Sequence, residues 1–122
     1  MIKPELKRLH SPDHFDLHNL TIDERTPFSI LVQAMFSPEG EDGEESFDVV
    51  VCNSLWVTNE AKRAAFSGRH HLIVDHFDVK EIRAFWQQIA AQSTGATWAE
   101  VGAKFGRYGK WEFEDYVDGY ER

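Results

Sequence analysis

Phe28-Ser29-Ile30-Leu31-Val32-Gln33-Ala34-Met35-Phe36 and Ser46-Phe47-Asp48-Val49-Val50-Val51-Cys52 are two β-rich runs, the second with three consecutive valines. Between them lies Ser37-Pro38-Glu39-Gly40-Glu41-Asp42-Gly43-Glu44-Glu45. From Glu39 to Asp48 six of ten residues are carboxylates: Glu39, Glu41, Asp42, Glu44, Glu45 and Asp48. Two apolar runs joined by a glycine-containing polar stretch read as a long β-hairpin with an acidic tip. The connection is longer than the common hairpin loops, and unusual loop length can mark a binding loop. Like charges repel, so such a tip suits a surface that meets something basic.

Working outward, Leu6 to His10 is a short strand candidate, with Pro4 suited to its beginning or to an edge. Ser11 to Pro27 is polar, carries Pro12 and Pro27, and reads as a loop with room for a turn of helix. On the other side, Ser54 to Phe66 reads as a short helix that Gly68 ends, and His71 to Phe77 as a strand. Asp78 stands three residues before Glu81, the spacing of a capping box, and Ile82, Phe85, Trp86, Ile89 and Ala90 follow at helical spacing. Gly95 punctuates that helix. Thr97 and Glu100 open a second one, with Trp98, Val101 and Phe105 as its stripe and Gly106 or Gly109 at its close. Trp111 to Tyr116 alternates aromatic and acid at first, which suggests a terminal strand with one aromatic face. Strands first and helices later give an α+β class: an antiparallel sheet, including the acidic hairpin, packed against two helices of the C-terminal half.

The chain has 122 residues, with 42% hydrophobic and 13% aromatic content. That is enough for one domain, residues 1–122, with a core that needs no staples. A net charge of −8 argues against direct nucleic-acid binding and against an anionic membrane surface. It is compatible with a basic protein partner. No stretch has the length of a membrane span, and the N-terminus turns polar at Lys3 without a signal-peptide core, so a cytoplasmic location is the expectation. Cys52 is the one cysteine and reads as a small buried thiol.

No constellation for catalysis emerges, so the chain is not expected to be an enzyme. The histidines lack the convergent spacing of a zinc site, and Cys52 has no motif neighbours that would activate it. Ser46 and Ser67 lie in no nucleophile elbow, and Gly102, Gly106 and Gly109 form no phosphate loop. The acidic run lacks the spacing of a calcium loop. No cofactor or metal is expected. The expected partner-binding residues are Glu39, Glu41, Asp42, Glu44, Glu45 and Asp48, with a second acidic group at Glu112, Glu114 and Asp115. A small hydrolase using carboxylates or His71, and an adaptor whose acidic loop only keeps it soluble, are the rival readings.

Several strings resemble the immunity protein 8 family: Gln33-Ala34-Met35, Gly40 to Asp48, Val51-Cys52, Gly68-Arg69-His70, Leu72-Ile73-Val74, Trp98, and Gly109-Lys110-Trp111-Glu112-Phe113-Glu114-Asp115-Tyr116. The resemblance runs from about Lys3 to Tyr116. It implies a cytosolic immunity protein of a bacterial polymorphic toxin or contact-dependent system, which binds a cognate toxin domain and blocks it. Such toxins are frequently nucleases with basic clefts. The resemblance transfers no binding residue position by position, so the sites named above rest on charge.

Overall fold

The computed structural model describes residues 1–113. Strand β1 (Pro4–His10) leads into an irregular stretch with a single 3-10 turn at Leu17–Asn19. Strands β2 (Ser29–Pro38) and β3 (Glu45–Cys52) follow, then helix α1 (Ser54–Arg63), strand β4 (His71–Ile73), helices α2 (Val79–Gln92) and α3 (Trp98–Phe105), and strand β5 (Lys110–Trp111). The class is α+β.

The two apolar runs pair antiparallel from Ser29↔Cys52 to Phe36↔Glu45, and residues 39–44 join them. Alternation then decides the core. Ile30, Val32, Ala34 and Phe36 on β2, and Phe47, Val49 and Val51 on β3, point to one face and are buried. Helix α2 lays Ile82, Trp86 and Ile89 on that face, and α3 adds Val101 and Phe105. Phe36 is the hub of the aromatic packing, edge-on to Phe47, Trp86 and Phe105 at centroid distances of 5.9, 5.7 and 4.6 Å. β1 pairs with β2, with a register shift between Leu6 and Arg8.

The sheet order is β1-β2-β3-β4, with β5 beside β3 at its other end. Three pairings are antiparallel, but β3 and β4 are parallel. The hairpin forces its strands antiparallel, whereas the crossover through α1 brings the chain back in the direction of β3.

Three sequence boundaries move. The strand expected over His71–Phe77 stops at Ile73. Its partner β3 ends at Cys52, because the next residue, Asn53, turns out to cap α1. The helix expected over Ser54–Phe66 ends at Arg63, where Ala64 is already extended. The helix preference of Ala64 and Ala65 yields to the path back to the sheet. The terminal strand reaches only Lys110–Trp111, since the chain enters a turn at Glu112 and Phe113, and Glu114, Asp115 and Tyr116 lie outside the described residues.

Asn53 explains why α1 starts where it does. It is 2% exposed, and its Oδ1 accepts from Trp56 N at 3.0 Å and from Phe28 N at 3.2 Å. Its Nδ2 donates to Thr26 O at 2.8 Å. One buried amide thus caps a helix and fixes the start of β2. At the other two helices, Asp78 accepts from Lys80 N, and Thr97 Oγ1 accepts from Glu100 N.

Candidate functional site: the acidic turn and its two tryptophans

The turn at 39–44 is placed by contacts from outside it, beginning with Glu39 N, which donates to Lys3 O at 2.8 Å. Ser37 is buried, and its hydroxyl donates toward Pro38 O and Glu41 O. Glu5, on β1, accepts from Gly40 N at 3.1 Å. That hydrogen bond first, and Lys7 second, hold the Glu5 carboxyl below the usual carboxylate range. Arg8 Nε reaches Glu44 at 2.9 Å, an exposed pair. Gly40 and Gly43 have φ of +81° and +95°, in the left-handed region where side chains are strained, so both positions need glycine.

Glu45, the first residue of β3, has a different task. Its Oε2 accepts from Trp98 Nε1 at 2.9 Å and its Oε1 from Trp111 Nε1 at 3.0 Å. The carboxylate is half-buried between the start of α3 and β5. Both bonds are charge-assisted. They tie the last helix and the last strand of the described chain to the end of the hairpin. Trp111 stacks on Phe47, centroids 5.9 Å apart and planes 13° apart. Gly102 of α3 makes room for that ring: a Cβ there would stand 2.6 Å from it.

A concavity of about 460 Å³ opens beside the turn. Glu41, Asp42, Glu44 and Glu45 line it together with Ile2, Phe36 and Trp98. Exposed Glu41 and Asp42 can pair with a cationic side chain, and Ile2 and Trp98 add apolar surface beside them.

The structure distributes the nine expected site residues unevenly. It gathers Glu41, Asp42, Glu44 and Glu45. Glu39 is exposed on the flank, beside Lys3 and Pro38. Asp48 lies mid-strand, where its Oδ1 accepts from Gln33 Nε2 at 3.2 Å. Glu112 joins the end of the hairpin: its Oε1 accepts from Ser46 N at 2.7 Å, and its own N–H donates to Ser46 O. Glu114 and Asp115 lie outside the described residues. Ile2, Arg8 and Trp98 were not anticipated here. Trp98 carried a helix-stripe signal and a place in the family resemblance but no site signal, and the other two carried none.

Two loose groups of possible metal ligands converge on His76, one with Glu24 and Asp75, the other with Asp78 and Glu81. Chain distance hid the first, through Glu24, while the second lies within residues 76–81. They are mostly exposed carboxylates, and Asp78 is already engaged as the cap of α2. Cys52 is buried, and burial pushes its thiol up from the ordinary range. Among the described residues no helix is long and apolar enough to cross a membrane.

No curated protein and no solved structure matches the chain. The family model described as immunity protein 8 matches residues 4–116. The match takes in the hairpin, the turn, Glu45 and both tryptophans that bind it, and on it the chain belongs to the immunity protein 8 family.

Proposed function

We propose that this immunity protein neutralises a cognate toxin domain by occlusion, with the acidic turn set against a basic surface of the toxin. Inhibition is steric and electrostatic, and this chain performs no chemistry. The toxin's cleft is basic, as that of a nuclease is, and the encounter takes place in the cytoplasm. The observation that carries the reading is the concavity lined by Glu41, Asp42, Glu44 and Glu45 together with Ile2 and Trp98. Carboxylates alone steer a partner, whereas an interface also needs an anchor that is buried on binding. Here a lysine or arginine of the toxin supplies the anchor and Trp98 its seat. Glu112, held against Ser46, extends the negative surface.

The test separates steering from folding. Glu44 and Glu45 are kept, because they hold Arg8 and the tryptophans. Glu39→Ser, Glu41→Ser and Asp42→Ser are combined, and association is measured by stopped flow with the cognate toxin domain. The on-rate is expected to fall about tenfold or more at low salt. The difference narrows at high salt, where screening already removes the attraction. An unchanged on-rate at low salt removes the turn from the interface. Co-expression with the same toxin domain gives the cellular readout, as rescue of growth.

A further inference from the structure

The irregular stretch between β1 and β2, residues 11–27, leaves β1 at His10, about 20 Å along that strand from Pro4 at the turn end. It is pinned from within. Leu17 is buried, and Leu20 and Ile22 pack against the core. Buried Ser11 accepts at its Oγ from Asp13 N at 3.3 Å, and Asp16 Oδ2 accepts from Asn19 Nδ2 at 2.7 Å. Phe15 stands between these fixed points and is 105% exposed, the most exposed large apolar side chain among the described residues. Other exposed rings lean on a neighbour, Phe66 on Trp56 and Tyr108 on Phe85. Burying a phenyl ring is among the largest gains a side chain can offer, and the same stretch takes that gain with its aliphatic residues. Its one aromatic is left in water, where a partner can bury it, and buried aromatic anchors carry much of the energy of protein interfaces.

The groups beside the ring say what kind of partner fits. Asp13 and Asp16 flank it and are both exposed. From Ser11 to Glu24 there are four carboxylates, Asp13, Asp16, Asp23 and Glu24, and no Lys or Arg. The next residue, Arg25, is already engaged: its Nε and Nη2 donate to Asp23 at 3.0 and 3.2 Å. His14, half-buried, and His18, exposed, are the other titratable groups of the stretch. The complement of an aromatic ring between two carboxylates is an apolar pocket with cations at its rim.

We propose that Phe15 is an anchor of the toxin interface, its ring entering an apolar pocket of the toxin domain while Lys or Arg side chains at the rim pair with Asp13 and Asp16. This contact rests on the reading that the partner is a basic toxin domain, and not on the turn being where that domain docks. An interface of about 800 Å² per partner is roughly 30 Å across, so one domain can reach both. Surface plasmon resonance with the immobilised cognate toxin domain and the full-length protein tests it. Phe15→Ser should raise Kd about tenfold or more through the off-rate, at low and high salt alike. Phe15→Leu keeps an apolar side chain and should weaken binding less. Asp13→Asn with Asp16→Asn should slow the on-rate at low salt only. These side chains are exposed, and far-ultraviolet circular dichroism with a thermal midpoint verifies that each variant is folded. Weaker binding by Phe15→Ser beside an unaffected turn variant upholds this contact and removes the turn. The reverse pattern overturns this contact and leaves the turn in place. Phe15→Leu binding no better than Phe15→Ser overturns the apolar pocket. So does sedimentation equilibrium showing a dimer that Phe15→Ser dissociates, because a second copy then covers the ring.

Discussion

At the scale of single residues, Glu45 separates two tasks that one string of carboxylates leaves merged. Its neighbours in the turn are exposed, whereas its own two oxygens are taken by indole N–H groups. Glu45→Ala leaves both indoles without an acceptor and is expected to lower stability by about 1–3 kcal/mol. Glu45→Gln keeps one acceptor oxygen and should fall between that variant and the wild type. Urea unfolding followed by tryptophan fluorescence measures both, and a Glu45→Ala protein as stable as wild type would remove this role. Trp86 is the counter-case, fully buried with an Nε1–H that finds no acceptor among the described residues. Cys52 gives the second prediction at this scale. Its thiol is buried and its pKa is raised by desolvation, so the neutral form is the one the fold favours. That contribution to stability is complete below the ordinary thiol pKa and is lost as pH rises through the raised folded value. An aromatic disulfide reagent at mildly alkaline pH should label Cys52 far more slowly in the native protein than in denaturant. Equal rates would contradict its burial.

At the scale of elements, the packing of α3 against β5 depends on one absent side chain. Gly102 sits in mid-helix, where glycine costs about 1 kcal/mol relative to alanine. Intrinsic propensity alone therefore predicts that Gly102→Ala stabilises the helix. The structure predicts the reverse, because the new Cβ would meet the Trp111 ring at 2.6 Å. Either Trp111 leaves Phe47 and Glu45 or the helix shifts, at an expected cost of about 1–3 kcal/mol. Thermal unfolding reads the sign directly. A rise in midpoint would show that the ring relaxes without loss. Gly109 plays a similar part beside Trp86, with a Cβ position 2.9 Å from that ring.

At the scale of the whole molecule, the hairpin turn and the α1–β4 side lie at opposite ends of β3. The turn and its concavity gather Glu41, Asp42, Glu44 and Glu45, and the other end leaves Phe66 and Ile73 exposed. Sites about 20 Å apart with no shared partners are expected to be energetically independent. Toxin association should respond to the turn substitutions and to salt, whereas Phe66→Ser with Ile73→Ser should leave the on-rate unchanged. A Phe66→Ser, Ile73→Ser protein that associates as slowly as the turn variant would join the two surfaces into one interface.

Local pattern carried most of the elements. The two strand runs, the period of Ile82, Phe85, Trp86 and Ile89, and the cap residues Asp78 and Thr97 are readable because alternation, helical spacing and side-chain capping act over a few residues. The composition of residues 39–44 made the acidic turn legible in the same way. Where strands and helices stop was less legible, since the end of His71–Ile73 depends on where its partner ends. By itself, then, the sequence determined the α+β class, the hairpin and the residues of its turn. Only the tertiary structure decided that β4 runs parallel to β3, that Trp98 and Trp111 converge on Glu45, and that Phe66 and Ile73 stay exposed. Those contacts join positions tens of residues apart, and they exist only once the whole sheet and its helices have closed around the shared core.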